Sequence, residues 1–178
     1  MWNKLIQNKT LVLVLLISVL AFLRVFIQIP NVAPIAAIAL FAGTYFKRKK
    51  LAFLFPITIL LISDIFIGFY DFALMLGVYI AFVIITMIGF WLKKNVKTST
   101  VIAGSLASSV LFFIITNFAV WAQGLWYPIS TGGLIQCYAM AIPFFRYEVL
   151  GTLAFSAFFF GAYSVYLKYV PFIILKRG

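Results

Sequence analysis

The sequence predicts an all-α, polytopic membrane bundle of six transmembrane helices forming one integral membrane domain over residues 1–178. Three observations carry that reading. The chain is 66% hydrophobic and only 10% charged, with a mean hydropathy of +1.18, whereas a soluble domain carries about 25% charged residues. So few charges cannot cover a water-facing surface, but a bilayer removes the need for them. The apolar runs are continuous and about 20 residues long, the length of a helical span. They do not alternate apolar and polar residues as barrel strands do. Finally, the basic residues cluster between the runs, as in Lys47-Arg48-Lys49-Lys50, Lys93-Lys94 with Lys97, and Lys176-Arg177.

The runs place spans at about 11–29, 33–46, 51–69, 72–92, 101–122 and 149–169. The first is interrupted by Arg24 and is too long for the apolar core of a signal peptide, with no small-residue cleavage pattern near its end. Asn31 and Pro34 break the chain before the second. That second run is the shortest, since fourteen helical residues cover about 21 Å of a ~30 Å hydrocarbon core. Its small residues include the pairs Ala33/Ala37 and Ala39/Gly43, whose four-residue spacing lets helices approach closely in lipid. Such a face serves either internal packing or docking of a partner membrane protein. The third run contains Pro56, Ser63, Asp64 and Gly68. The fourth ends at Lys93-Lys94, and the fifth runs into Trp121. Residues 123–146 read as a lid-like outer loop, because Gly132-Gly133 signals a turn and Pro128 and Pro143 fix bends. Its apolar content implies packing over the bundle rather than a free connection.

Basic residues orient the bundle. With the N-terminus inside, twelve of the fourteen lysines and arginines fall on the inner side, leaving only Arg24 and Arg146 outside. By the positive-inside rule the chain is a multi-pass protein of a bacterial cytoplasmic (inner) membrane with both termini cytoplasmic. The net charge of +11 is thereby topology signal and anionic-lipid contact, not a nucleic-acid surface. The sequence has no histidine and one cysteine, Cys137. This removes intramolecular disulfides, His/Cys metal clusters and His-dependent triads from consideration. No phosphate-binding loop, zinc-protease motif or nucleophile elbow is present, so neither an enzyme, a resident metal nor a cofactor is expected.

The same orientation gathers Arg24, Asp64, Asp71, Arg146 and Glu148 toward the outer side. Intramembrane ionisable residues are expensive and face the interior, where they find partners. Two compatible readings follow. In one, Arg24 pairs with Asp64 and Arg146 with Glu148 to hold helices together. In the other, these groups line a polar pocket together with Asn31, Asn117, Trp121, Trp126, Tyr127, Gln136 and Tyr138, whose rings suit a planar or partly apolar solute. The aromatic residues also fit an interfacial belt.

The stretch Pro30-Asn31-Val32-Ala33-Pro34 through Ala42-Gly43 resembles the first part of small bacterial membrane proteins related to the substrate-binding S components of energy-coupling-factor (ECF) vitamin transporters. Ser63-Asp64-Ile65-Phe66-Ile67-Gly68, Tyr127-Pro128 and Cys137-Tyr138 through Phe144-Phe145 are similar to an uncharacterised family within that group. The resemblance implies a six-helix bundle that captures a vitamin, precursor or related micronutrient from outside. It also implies a coupling membrane subunit and cytoplasmic ATPases as partners. In S components the coupling contact is an alanine pair in the first helix, whereas here the small-residue face is clearest at Ala33, Ala37, Ala39 and Gly43. The expectation is therefore a transport component for a small molecule. The rivals are a structural or assembly protein and an ion or proton carrier using Asp64.

Overall fold

A computed structural model describes residues 34–175 and, separately, Val19. The expected first span, with Arg24, and also Asn31 and Ala33 lie outside the described residues. Within them the protein is all helical, with five helices and no strand: α1 Ile35–Tyr45, α2 Lys49–Ile67, α3 Phe72–Leu92, α4 Thr98–Ala122 and α5 Thr131–Leu175. Four of these, α2 to α5, are long and apolar enough to cross a membrane. Large apolar side chains point outward along them, among them Leu54, Phe66, Phe72, Trp91, Ile114 and Phe158. In water that surface is unfavourable, whereas lipid is its natural solvent.

Local chemistry sets the helix ends. Gly68 stops α2 with φ 105°, a backbone angle that costs glycine little and other residues much. Asp71 then caps α3, its carboxylate accepting from the backbone N–H groups of Ala73 (2.9 Å) and Leu74 (3.0 Å), so two orphan donors of the first turn are satisfied. Between α3 and α4 the Lys93–Lys97 turn is held by the Thr100 hydroxyl, which accepts from Lys97 N at 2.9 Å. The α1–α2 turn carries Lys47 and Arg48. It lies at the same end as Lys93–Lys97, because the Thr44 hydroxyl near the end of α1 donates to Gly89 O of α3 at 3.2 Å. One end of the bundle is thus basic.

The short helix α1 is the axis of the molecule. It packs against all four other helices, and Ile35, Ala37, Ala39, Leu40 and Ala42 are each 0% exposed. At 11 residues it is about 16 Å long and does not by itself cross a ~30 Å core, so the expected span at 33–46 is a buried core helix. Its small residues face neighbouring backbone of the same chain. A Cβ on Gly43 would collide with the Thr86 carbonyl and lie 2.9 Å from Gly89 Cα, and one on Gly89 would lie 2.8 Å from Gly43 Cα. Of the two readings of Ala37, Ala39 and Gly43, internal packing and partner docking, their burial among the described residues favours internal packing, which lipid-embedded helices achieve through close backbone approach.

The expected loop at 123–146 is also corrected. The connection occupies residues 123–130, and helix α5 begins at Thr131. Ser130 caps it, with its hydroxyl accepting from Gly133 N at 3.1 Å and its carbonyl accepting from Leu134 N at 2.9 Å. Gly132-Gly133 is thus a first helical turn. Gly133 is needed because a Cβ there would strike the Pro128 carbonyl. Pro143 sits inside the helix, as Pro56 does inside α2; apolar helices packed on neighbours tolerate the lost hydrogen bond. The same helix includes the expected span at 149–169.

Candidate functional site

The residues singled out from the sequence fall into three groups. The first is Asp64, whose side chain is 0% exposed in α2 and whose Oδ2 accepts from the Tyr79 hydroxyl of α3 at 3.2 Å. Ser63 beside it is also fully buried and donates to Leu60 O at 2.8 Å. The pair lies in the half of the bundle away from the lysines, one turn before Gly68. A carboxylate buried without compensation is prohibitively costly in an apolar medium, so such a position is held by specific contacts.

The second group knits the end of α4 to its connection and to α5. Trp121 Nε1 donates to Pro128 O at 3.1 Å. Asn117 Nδ2 donates to Phe113 O at 2.8 Å, and Cys137 Sγ, 2% exposed, donates to Asn117 O at 3.4 Å. The Tyr138 hydroxyl donates to Ile114 O at 2.7 Å, and its ring packs against Phe113. These groups use their polar atoms within the chain. Tyr127 is half-buried in the connection, while Trp126 and Gln136 are exposed.

The third group is on α5. The expected pair between Arg146 and Glu148 is not formed. Residues two apart on a helix point to different sides. Arg146 is exposed, donates to the Tyr147 hydroxyl at 2.8 Å and lies 4.7 Å from the centroid of that ring. Glu148 turns inward to 6% exposure and accepts from the Thr152 hydroxyl at 3.0 Å through Oε1.

Sequence reasoning missed what continues from Glu148. Thr152 and Ser156 follow it at four-residue steps, each 1% exposed, so the three form one buried stripe along α5. Phe160, the next step, packs against Phe41 and Tyr45 of α1. Phe145, just before the stripe, packs against Phe113 of α4. The stripe therefore faces α1 and α4. On α4, Ser105 and Ser109 are 0% exposed. By helical position they lie between Phe112, which packs on Phe82 of α3, and Phe113, which packs on α5. Both stripes open onto the same interior. The signal was present in the sequence as hydroxyl residues at helical spacing inside apolar runs.

The hydroxyls of this seam behave unlike the others. Thr44, Thr86, Ser108, Thr116 and Ser164 each donate to the carbonyl four residues earlier, the usual way for a hydroxyl to survive in an apolar helix. Ser105, Ser109 and Ser156 do not, and their buried Oγ atoms have no hydrogen-bond partner among the described residues. Each such group, left dry, costs about 1–3 kcal/mol.

The fold and these sites define a class: an all-helical bundle with an apolar exterior, a basic end, and carboxylates buried in its interior. The chain belongs to DUF6580, a family of unknown function, which it matches over residues 4–173. No curated protein and no solved structure matches it.

Proposed function

We propose that this protein is a multi-pass component of a bacterial-type inner membrane that takes up a small solute, a vitamin- or precursor-like micronutrient, from the side opposite its lysines. The observation that carries the reading is Asp64, a fully buried carboxylate anchored by Tyr79 within helices whose outer surface is apolar. Ionisable groups in such a position mark substrate or ion pathways. The basic turns at Lys47–Lys50 and Lys93–Lys97 favour a cytoplasmic basic end. The solute meets the aromatic connection first, near Trp126 and Tyr127, and then Asp64. The described residues hold no phosphate-binding loop, so energy comes from partner ATPases through a coupling membrane subunit, as the likeness to ECF S components implies. With Ala37, Ala39 and Gly43 buried, that subunit must engage some other surface.

The test is purification from native membranes followed by mass spectrometry of co-purified small molecules, with uptake measured in cells. The reading expects a recurrent ligand, and it expects Asp64→Asn to leave the folded yield intact while abolishing uptake. Repeated absence of a ligand, together with normal uptake on deletion, sinks it. The second reading is a structural or assembly protein. It is favoured by the internal hydrogen bonds of Asn117, Trp121, Cys137 and Tyr138, and it expects Asp64→Asn to lower folded yield.

A further inference from the structure

We propose that the seam between α4 and α5 is a hydrated proton-binding site, with Glu148 as the group that takes up and releases the proton. The inference rests on the bundle being lipid-embedded, not on the identity of any solute.

Three observations support it. Glu148 is buried, and its one hydrogen bond among the described residues is with Thr152, at Oε1. Among the described residues no cation neutralises a carboxylate in that position: α1 and α4 carry no charged side chain within Ile35–Tyr45 and Thr98–Ala122. The nearest arginine along the chain, Arg146, is exposed and stacked on Tyr147. Among the described side chains, the other titratable groups on the packed elements are Tyr45 of α1 and Cys137, Tyr138, Tyr147, Tyr163 and the exposed Lys168 of α5, the last lying twenty residues along the helix from Glu148. Cys137 and Tyr138 donate to carbonyls of α4, Tyr147 is occupied by Arg146, and Tyr45 and Tyr163 pack on each other. Buried charges are ordinarily paired, and Glu148 has no charged partner among the described residues.

The third observation is the hydroxyls. Ser105, Ser109 and Ser156 are at least nine-tenths buried, lack partners among the described residues and turn toward the interior that Glu148 faces. Buried polar groups in native proteins are satisfied, by water where protein does not serve. Water bridging these hydroxyls connects to the carboxyl. When the proton binds, the new O–H bond forms at Oε2, because Thr152 holds Oε1, and that O–H donates to the seam. On release the proton passes to seam water and the carboxylate remains, still accepting from Thr152.

The experiment is pH-difference infrared spectroscopy on the full chain in lipid vesicles. The wild type is expected to show a protonated-carboxyl C=O band that shifts in D2O and disappears as pH is raised. The band should be lost in Glu148→Gln and kept in Asp64→Asn. Its absence from the wild type, or its persistence in Glu148→Gln, overturns the proposal. So does loss of the band on adding Na+ at fixed pH, because the occupant is then a metal cation. If Glu148→Gln does not fold, Glu148→Asp is used instead, and the band should move in frequency; an unmoved band counts against Glu148. The hydroxyl path is read separately from hydrogen–deuterium exchange of the carboxyl, which should slow several-fold in a Ser109→Ala, Ser156→Ala double variant. Unchanged exchange removes the seam from the path. Failure to find a co-purified solute leaves all of these readouts standing, so the two proposals fail independently.

Discussion

Asp64 and Glu148 are both buried acids, but their surroundings differ in kind. Asp64 is tied across a helix boundary, α2 to α3, by the Tyr79 hydroxyl, whereas Glu148, among the described residues, is tied only within its own helix, to Thr152. The first contact therefore contributes to holding two helices together and the second does not. Tyr79→Phe removes the cross-helix donor while keeping the ring. Interhelical hydrogen bonds in membrane proteins are worth about 0.6 kcal/mol, and at most about 1.7, so the variant should unfold at slightly lower denaturant in detergent. Thr152→Val, which breaks the bond within α5, should instead leave helix association unchanged. Equal losses from both would show that Tyr79 contributes no interhelical term. The exposed Arg146 shows why charge position alone misleads at this scale. Sequence placed it two residues from Glu148 and near the same end of the bundle, but a two-residue step on a helix turns the side chains apart.

At the scale of elements, the crossing of α1 and α3 is set by two glycines. Gly43 and Gly89 meet backbone to backbone, and Thr44 bridges the crossing from its hydroxyl to Gly89 O. Gly89→Leu must push the helices apart, since the new carbon would overlap the Leu40 carbonyl. Overpacking of this kind costs about 1–3 kcal/mol or more, and detergent-solubilised protein should lose its monodisperse elution. Gly161→Ala is the control, because nothing lies within 4 Å of its added carbon; it should be neutral or gain up to about 1 kcal/mol from helix propensity. The four long helices were legible from apolar run length and lysine punctuation, with α3 matching its expected bounds at 72–92. The start of α5 was not. Gly132-Gly133 and Pro143 carry the local signature of a loop, but Ser130 supplies a cap, and a carbonyl at Pro128 leaves room only for glycine. Both contacts lie within residues 128–133, but they depend on the backbone path there, which the residue types alone leave open between turn and helix. The candidate site was half legible for the same reason. Single charges such as Asp64 and Glu148 stand out in an apolar chain, whereas the seam becomes visible only when the hydroxyls that bond their own helix are separated from those that do not.

At the scale of the whole molecule, the two ends differ in chemistry. Lys47–Lys50 and Lys93–Lys97 crowd one end, while the other carries Asp71, the aromatic connection at 123–130 and Gly68, one turn beyond Asp64. Sidedness is what the proposed uptake depends on, because a solute site facing the cytoplasm could not capture a nutrient from outside. The single cysteine makes the orientation measurable. Cys137 is 2% exposed, and Cys137→Ala gives a background free of thiols. Single cysteines are then introduced at Trp126, which is 78% exposed, and at Asn95, which is exposed in the lysine turn. A membrane-impermeant maleimide applied to intact spheroplasts should label Trp126→Cys at once and Asn95→Cys only after permeabilisation. The excess of lysines at the Asn95 end predicts this order, since cytoplasmic loops retain basic residues during insertion. The reverse order would put the aromatic connection in the cytoplasm and exclude capture from outside. Labelling of both cysteines in intact cells would mean that the protein inserts in two orientations, and uptake would then have to be assigned to one of them.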